Sequence, residues 1–477
     1  MTNLHIKGYT PPSSLGYGTW TDITPSEGVI NVSTERNVDS GDSASITLSA
    51  DADFSEFEDQ RAIQIFLGGT SEPTNLIWEG IMLSPEIGIH SPFVNCQTYD
   101  IQCVGYEKFL MRKEITADWS AQSFDAIFAA LATEANADMR FPTYKRFKYD
   151  NTKLTNYNSA AYTSTITKSV ERSKIYDVFS ELVPVLSGID VTYAYEYGFY
   201  LDYHQSTQFI YVMPDMLDTT ATVTADFSDE EDIYKNSLSF KRNFDKIINY
   251  SHTIGDGYET SHYNATALSA TDVSVTSENF DFASSGLPTQ RSYLAIEITN
   301  DGTGNEFGSF SIDGYDAPVP ANALSEDIYF YCPFNETITI YSTERYGDFN
   351  GATPFNIQNM NGATVNVYQC DYGIAGKSIN EYGISQSSPR RLDLNTQSRV
   401  DNFSQQEVRL FHKPPTEVSF RATAFDTVNY LNKTVLLTDP FTDTDVKFLI
   451  TSQKYNIPEN YDVEQWFTGI HTNYDWE

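Results

Sequence analysis

Cations are the scarcest chemistry in this 477-residue chain: 30 Lys and Arg stand against 65 Asp and Glu, a net charge of −35. Charged residues make up only 20% of it, below the usual ~25%. The imbalance therefore comes from missing basic residues and not from an acidic tail. No Lys/Arg cluster stands out, which argues against a phosphate-neutralising grip on nucleic acid. A surface this negative repels DNA. That suits a channel through which DNA slides, and equally a protein kept soluble by charge or adapted to salt.

Cysteine is scarce too: Cys96, Cys103, Cys332 and Cys370. No CxxC occurs, and the odd spacing of Cys96 and Cys103 puts them on opposite faces of any strand they share. This argues against a disulfide scaffold or zinc site and predicts buried free thiols. No apolar run approaches the ~20 residues that span a bilayer. The opening MTNLHIKGYTPPSS has no apolar signal core, so the chain reads as soluble and not exported by the general secretory signal.

Catalytic signatures are also missing. His5, His90, His204, His252, His262, His412 and His471 form no HExxH, and the ten-residue gap between His252 and His262 is not a helical ligand pair. Each reads as an ordinary strand or loop histidine. There is no G-x-S-x-G elbow and no P-loop; the glycines of 255–257 and 300–308 read as turns, because a phosphate cradle needs a strand before it and a helix after. The acidic run SDEEDIY (228–234) lacks the glycine and spacing of a calcium loop and reads as a solvated turn. A glycosidase needs two carboxylates about 5–9 Å apart, and such a pair cannot be read from one sequence. The expectation is no catalytic residue, no cofactor and no metal ligand.

What is present is β structure with real cores: 40% hydrophobic residues, and Tyr 32, Phe 30 and Trp 5 for 14% aromatics. The length suggests about three or four domains. In GVINVSTERNVDSGDSASITLS (28–49) alternation, a turn at 39–42 and alternation again predict a hairpin. Further strands follow around Ile63–Leu67, in LIWEGIMLSP, stopped by Pro85, and in YDIQCVGYEKFLMR, which turns helical at its end. In WSAQSFDAIFAALATEA (119–135) Phe124, Ile127, Phe128 and Leu131 predict an amphipathic helix capped by Ser120 or Ser123. A second helix is predicted over 173–190, with Ser173 as N-cap, Gly188 as terminator and a kink or early end at Pro184. VTYAYEYGFYLDY and QFIYVMP then read as a hairpin. Residues 264–377 are rich in Ser, Thr, Asn and Gly, with strands such as YLAIEIT and TVNVYQC. A helix over about 395–412 stops at Pro414-Pro415, and four strands close the chain. The aromatic surplus has three readings: β-propensity, subunit interfaces, or stacking on sugars.

Taken in order, GVINVSTERNVDSGDSASITLS, LIWEGIMLSP and YDIQCVGYEKFLMRKEI resemble the first barrel of the tail-hub or baseplate-hub proteins of long-tailed bacteriophages or tailed archaeal viruses. IYDVFSELVPVLSG and its hairpin resemble that family's middle domain. NSLSFKRNFDKIINYSH, SINEYGISQ, YLNKTVLLTD and KFLITSQKYNI resemble its second barrel. Two departures stand out: Asn432-Lys433 replaces the family's Gly-Asp turn, and 264–377 replaces a short connection. The resemblance implies a mainly β fold with a smaller α+β domain. Two hub-type β-barrels (1–115; 236–263 with 378–477) would bracket the mixed domain (116–235), and 264–377 would be an inserted β-sandwich-like domain. It implies a structural, non-enzymatic virion protein at the tail tip, made in the host cytoplasm. As a homotrimer it would close the tail tube and let DNA pass at ejection. Implied partners are a distal tail or tail-tube protein, the tape-measure protein, a tail fibre or receptor-binding protein, and DNA as passing cargo, with membrane contact only during ejection. Acids and aromatics in β structure leave an alternative open: a glycan-active or glycan-binding tail protein acting on host glycans.

Overall fold

The structure is a computed structural model that describes residues 4–10, 18–38, 40–49, 51–53, 55–57, 61–68, 75–83, 86–91, 96–137, 145–152, 163–188, 196–203, 209–217, 222–229, 231–263, 268–273, 277–281, 293–301, 306–316, 323–343, 345, 354–358, 363–387, 390–391, 394–441, 444–459 and 462–471. The chain forms two units. Met1–Asp190, Tyr195–Asn243 and Pro415–Thr472 make the first; Val191–Ala194, Phe244–Pro414 and Asn473–Glu477 make the second. Both are mainly β. Among the described residues no helix is long and apolar enough to cross a membrane.

The first unit opens with eight strands: Leu4–Thr10 (β1), Thr19–Asp22 (β2), Val29–Asn37 (β3), Ser43–Ser49 (β4), Ala62–Leu67 (β5), Leu76–Met82 (β6), Glu86–Ser91 (β7) and Cys96–Val104 (β8). The predicted hairpin is β3 against β4. Val32 faces Ile46 on one rung, and both are fully buried, so the period-two pattern does put its apolar set inside. Strand β6 explains its own W-x-G spacing. Trp78 is fully buried, and a Cβ on Gly80 would stand 2.3 Å from its ring and 2.4 Å from the Val104 carbonyl oxygen. Only glycine lets the indole lie there. Pro85 lies outside the described residues; the strand itself ends at Met82.

Helix α1 (Glu107–Arg112) leads into the mixed part, where two helix boundaries differ from expectation. Residues Glu114–Ser123 form a strand (β9), and the helix predicted from 119 begins at Phe124 (α2, Phe124–Ala137). The i, i+3, i+4, i+7 stripe starts only there. The strand Thr165–Lys174 (β11), which follows Arg146–Tyr149 (β10) downstream, pairs with β9 and satisfies its backbone. Ser123 is the capping residue, its Oγ accepting from the Ala126 N–H at 3.2 Å; Ser120 stays in the strand. The second helix is α3 (Ile175–Leu182), followed by a 3₁₀ turn, Pro184–Gly188. Proline has no N–H to continue the helix. Ser173 is not its cap: it lies in β11 opposite Ile115, and Lys174 holds the cap position without a side-chain bond. The predicted hairpin is Glu196–Asp202 (β12) antiparallel to Phe209–Leu217 (β13), with β10 added in parallel. Phe128 of α2 and Phe179 of α3 meet at 5.3 Å between ring centroids, and each such buried side chain contributes about 1.5–3 kcal/mol. Val223–Asp226 (β14) and Ser239–Arg242 (β15) complete this part.

The second unit holds Thr253–Ile254 (β16), Leu268–Val273 (β17), Ser277–Asp281 (β18), Leu294–Asn300 (β19), Phe307–Asp316 (β20), Ala323–Tyr331 (β21), Thr337–Tyr341 (β22), Pro354–Gln358 (β23), Ala363–Gln369 (β24) and Arg390–Arg391 (β25). Eight of these build two four-stranded sheets, β17-β24-β19-β22 and β18-β23-β20-β21, and β16 pairs β25. Helix α4 (Gly376–Tyr382) ends at Gly383, whose φ of 79° lets its N–H turn back to the Ile379 carbonyl at 2.8 Å. The predicted third helix is α5 (Gln397–Phe411), capped by Thr396. Cys103, Cys332 and Cys370 are buried free thiols, as their scarcity suggests; the Cys96 side chain lies outside the described residues.

The last strands, Thr416–Arg421 (β26), Thr434–Asp439 (β27), Thr444–Pro458 (β28) and Glu464–His471 (β29), return to the first unit. Together with β14 and β15 they join β1–β8 in one fourteen-stranded sheet, whose main path is β15-β26-β29-β28-β3-β4-β8-β6-β5-β1-β2. Strand β28 makes the junction. Its first half pairs β27 through Leu449, and its second half pairs β3 from Ser452 to Pro458, while β29 runs along the other edge. A bulge between Ile450 and Ser452 marks the hand-over. It shifts the inward parity from Phe448 and Ile450 to Gln453, Tyr455 and Ile457. The strand thereby serves two cores. One contains Ile6, Val32, Ile46, Leu48, Ile65, Trp78 and Ile101 with Tyr455 and Ile457; the other contains Val418, Phe420, Val435, Leu437, Phe448, Ile450 and Phe467.

At the turn before β27, Asn432 adopts φ 54°. Asparagine is one of the few side chains that tolerate this left-handed region. The backbone bend that a glycine would supply is kept, and the Asn432 side chain donates to Asp215 at 2.6 Å.

Candidate functional site

The junction strand gives the first unit a continuous polar face. Residues on one rung of a sheet share a face. Gln102, Ser45, Ser33, Asn456 and Glu464 follow one another across β8, β4, β3, β28 and β29. The next rung on that face carries Ser43, Glu35, Lys454, Trp466 and Arg421. On another, Ser452, Thr468, Ser419 and Ser239 continue through β15. The opposite side of the same strands is buried and largely apolar, with Thr34, Arg36, Gln453 and Gln465 as its polar members. Short hydroxyls and amides are thus set out along these rungs, from β8 across to β15.

The few charges on this face are tied to neighbours. Thr47 donates to Asp100 at 2.8 Å, and Ser452 to Glu35 at 3.4 Å. Glu464 accepts from Asn456 at 3.1 Å and Trp466 at 3.4 Å and pairs with Arg421 at 2.8 Å. A cleft of about 430 Å³ opens here, lined by Glu35, Ser452, Lys454, Glu464, Trp466 and Thr468 among others. It holds two carboxylates, but Glu464 is committed to three partners and Lys454 stands opposite Glu35 in the ladder. Hydrolysis of a glycosidic bond needs one free acid and one free base or nucleophile, and this arrangement does not offer them. Lys454 and Arg421 are the cations on these rungs, too few for a phosphate track.

A buried charged network supports the face from behind. Arg36 of β3 pairs with Asp42 at 3.2 Å, donates to the Leu201 carbonyl at 3.0 Å and stacks 4.5 Å over Tyr203. Asp42 accepts from the Asn37 N–H at 2.9 Å, and its own N–H donates to Glu107. Alongside, Glu79 accepts from Lys145 at 2.7 Å, Gln64 at 2.8 Å and Tyr106 at 2.6 Å, and Lys145 also donates to the Tyr203 carbonyl. Burial raises the Asp42 carboxyl. Burial and the adjoining Asp42 push Glu107 up to about 8. These groups bind the β3–β8 strands to the mixed layer of α1, β10 and β12. Their polar atoms are spent on one another, which is a structural use.

Of the histidines, His5 pairs with Asp22 at 3.0 Å, His412 contacts the Arg409 carbonyl at 3.0 Å and His471 the Lys447 carbonyl at 2.9 Å. His204 and the side chain of His90 lie outside the described residues. The structure does bring His252 and His262 together, ring centroids 5.6 Å apart, with Tyr250 stacked on His262 at 4.4 Å. The sequence carried the signal: the turn at 255–257 folds Thr260 back on Thr253, so residues near 251 and 262 must meet. His262 contacts the Ser251 carbonyl at 2.7 Å, and burial, together with His252, lowers its pKa below 6.5. The acidic run is a local turn, with Asp229 accepting from the Glu231 N–H and Ile233 buried. Gly257, at φ 81°, is a turn residue; part of 300–308 lies outside the described residues. Among the described residues no group of three or more His, Cys, Asp or Glu is placed to hold a metal ion.

No family model matches the chain and no curated protein matches it in sequence. Solved structures of phage tail proteins are similar to it. The 43 kDa tail protein of prophage MuSo2 from Shewanella oneidensis matches with TM-score 0.49 and 8% identity, covering 98% of each chain. The tail protein from Neisseria meningitidis matches with TM-score 0.48 and 7% identity, over 98% of this chain and 96% of that one. Prophage tail protein gp18 from Listeria monocytogenes matches with TM-score 0.42 and 7% identity, over 94% and 91%. At these identities and TM-scores the likenesses assign neither activity nor partner.

Proposed function

We propose that this chain is the hub subunit at the tip of a virion tail, of a long-tailed bacteriophage or a tailed archaeal virus. Three copies form a ring, each contributes two β modules, and six modules wall a passage. The observation that carries the reading is the single sheet with two separate apolar cores, joined by the bulged strand β28. One polypeptide thereby presents two side-by-side modules under one continuous polar face. A heterologous interface repeated around an axis closes into a ring, and three chains then meet a sixfold tube with six modules. The order of the quoted sequence motifs supports the same reading.

The polar face is the wall of the passage in this account. Hydroxyls, amides and hydrogen-bonded carboxylates offer DNA no run of cations, so DNA passes as cargo and is not held. The ring closes the tail tube before infection and opens it at ejection, with no covalent step. The tail-tube or distal tail protein sits on one side. The tape-measure protein and a fibre or receptor-binding protein are further partners. The chain is made in the host cytoplasm, works at the tail tip, and meets a membrane only during ejection. The finer division belongs to the proposal as well: a first barrel over 1–115, a mixed domain over 116–235, a second barrel drawn from 236–263 and 378–477, and an insertion over 264–377.

Sedimentation velocity of the purified full-length chain tests the ring. The expected species has three times the chain mass at micromolar protein. A monomer at every accessible concentration overturns the proposal.

A further inference from the structure

The strand pair β20/β21 of the second unit carries a face of a different kind. Its register sets Phe307 opposite Tyr331 and Ser309 opposite Tyr329. Alternation then divides the pair: Phe310 and Phe330 turn inward, 0% and 7% exposed, while Phe307 is 65%, Tyr329 79% and Tyr331 49% exposed. The Phe307 and Tyr331 rings are in contact, 4.7 Å between centroids and tilted by 46°. The Tyr331 hydroxyl is hydrogen-bonded to the Glu306 carboxylate, which fixes the ring. Tyr329 stands two residues along the strand, roughly 7 Å away, and Asp327 follows it at the exposed end. Exposed Phe334 lies in the turn just beyond.

Three features decide what such a face takes. Every exposed large hydrophobic residue described between 300 and 340 is aromatic, and 292–344 contains neither the methionine nor the arginine that accompany aromatics in protein-docking patches. The rings are spaced by Ser309 and Asp327 instead of fusing into one greasy area. The segment 292–344 contains no Lys or Arg, which rules out an anionic ligand by charge. Glu306 is spent on Tyr331, so it is not free for a cationic peptide. The complementary occupant has flat C–H faces for the rings, hydroxyl donors for Asp327, and no charge.

We infer that the Phe307–Tyr329–Tyr331 face of this sheet binds a neutral glycan chain, holding it by stacking sugar rings on the three aromatic rings. Binding is non-covalent and nothing is cleaved. This does not depend on the hub reading: it concerns the second unit alone and stands whether or not the chain forms a ring.

Isothermal titration calorimetry of the full-length chain with cellohexaose, maltohexaose and chitohexaose tests it, with polygalacturonate and hexalysine as charged comparisons. At least one neutral hexasaccharide binds, and polygalacturonate does not. Tyr329→Ala weakens that binding about tenfold, equivalent to about 1.4 kcal/mol. Tyr331→Phe, which removes the hydroxyl held by Glu306, weakens it less. Tyr234→Ala, an exposed tyrosine of the first unit, leaves it unchanged. Circular dichroism checks that each variant is folded. No binding of any neutral hexasaccharide at millimolar concentration overturns the inference. So does binding that Tyr329→Ala leaves intact, or hexalysine bound at this face in place of sugar.

Discussion

The two cores that share one sheet are built from different side chains. The first is aliphatic, with Ile6, Val32, Ile46, Leu48, Ile63, Ile65 and Ile101 around a single indole, Trp78. The second is richer in aromatics, which pack among Val418, Val435, Leu437 and Ile450: Phe227 lies 5.2 Å from Phe420 and 5.7 Å from Phe467, and Phe420 and Phe467 are 5.1 Å apart. The first has a buried charged network at its edge. Where the two cores meet, Gln453 and Gln465 converge on the hydroxyl of Tyr455, a residue of the first core, at 2.9 and 3.2 Å. Volume and patterning are enough to raise a β module, so two modules can do one job with unlike sequences. What they must share is the strand between them and the polar face above it.

That contrast can be broken most severely at the charged network. Lys145→Met leaves Glu79 buried beside Tyr106 and Gln64 without its cation. Stranding a buried charge costs about 3–5 kcal/mol, seen as a lower urea midpoint for the first unit. The next largest effects set one core against the other. Phe467→Ala opens a cavity among the rings and costs about 3–5 kcal/mol, while Ile46→Val in the aliphatic core costs about 0.5–1.5 kcal/mol. Equal losses would mean that the two cores are not packed as differently as their composition says.

The third test is a slope. The Glu107 carboxyl is raised from 4.5 to about 8 by burial and by Asp42. A raised carboxyl stabilises the fold fully below about pH 4.5 and loses that contribution as pH climbs toward 8, because the unfolded chain ionises first. Asp42 shifts in the same direction. Denaturation midpoints measured from pH 5 to 8 therefore carry a falling component that Glu107→Gln removes. A profile unchanged by that substitution would show Glu107 to be ionised in the folded chain.

Much of this architecture is legible in the residues. Alternation gives β3 and β4, and the apolar stripes give α2 and α3. The misread boundaries have one cause: a local pattern cannot see a distant pairing partner. Residues 119–123 look like a helix start until β11, more than forty residues on, claims them. The polar face was not legible, because it needs Ser452 set beside Asn37 across most of the chain. The bulge that swaps parity at Ile450 leaves no mark in composition either. Asn432, where the family shows glycine, looked like a departure, yet asparagine is the residue that can keep the bend. The aromatic face of β20 and β21 was visible only as a surplus of Tyr and Phe. Register alone sorted the exposed rings from the buried ones.

The proposed ring requires the polar face to look inward. A cryo-electron microscopy map of the assembled full-length protein decides it. The expected particle is a threefold ring of six β modules, with Ser33, Ser45, Ser419, Ser452 and Thr468 on the wall of the central opening. A ring that turns this face outward, or particles with no threefold axis, would contradict it.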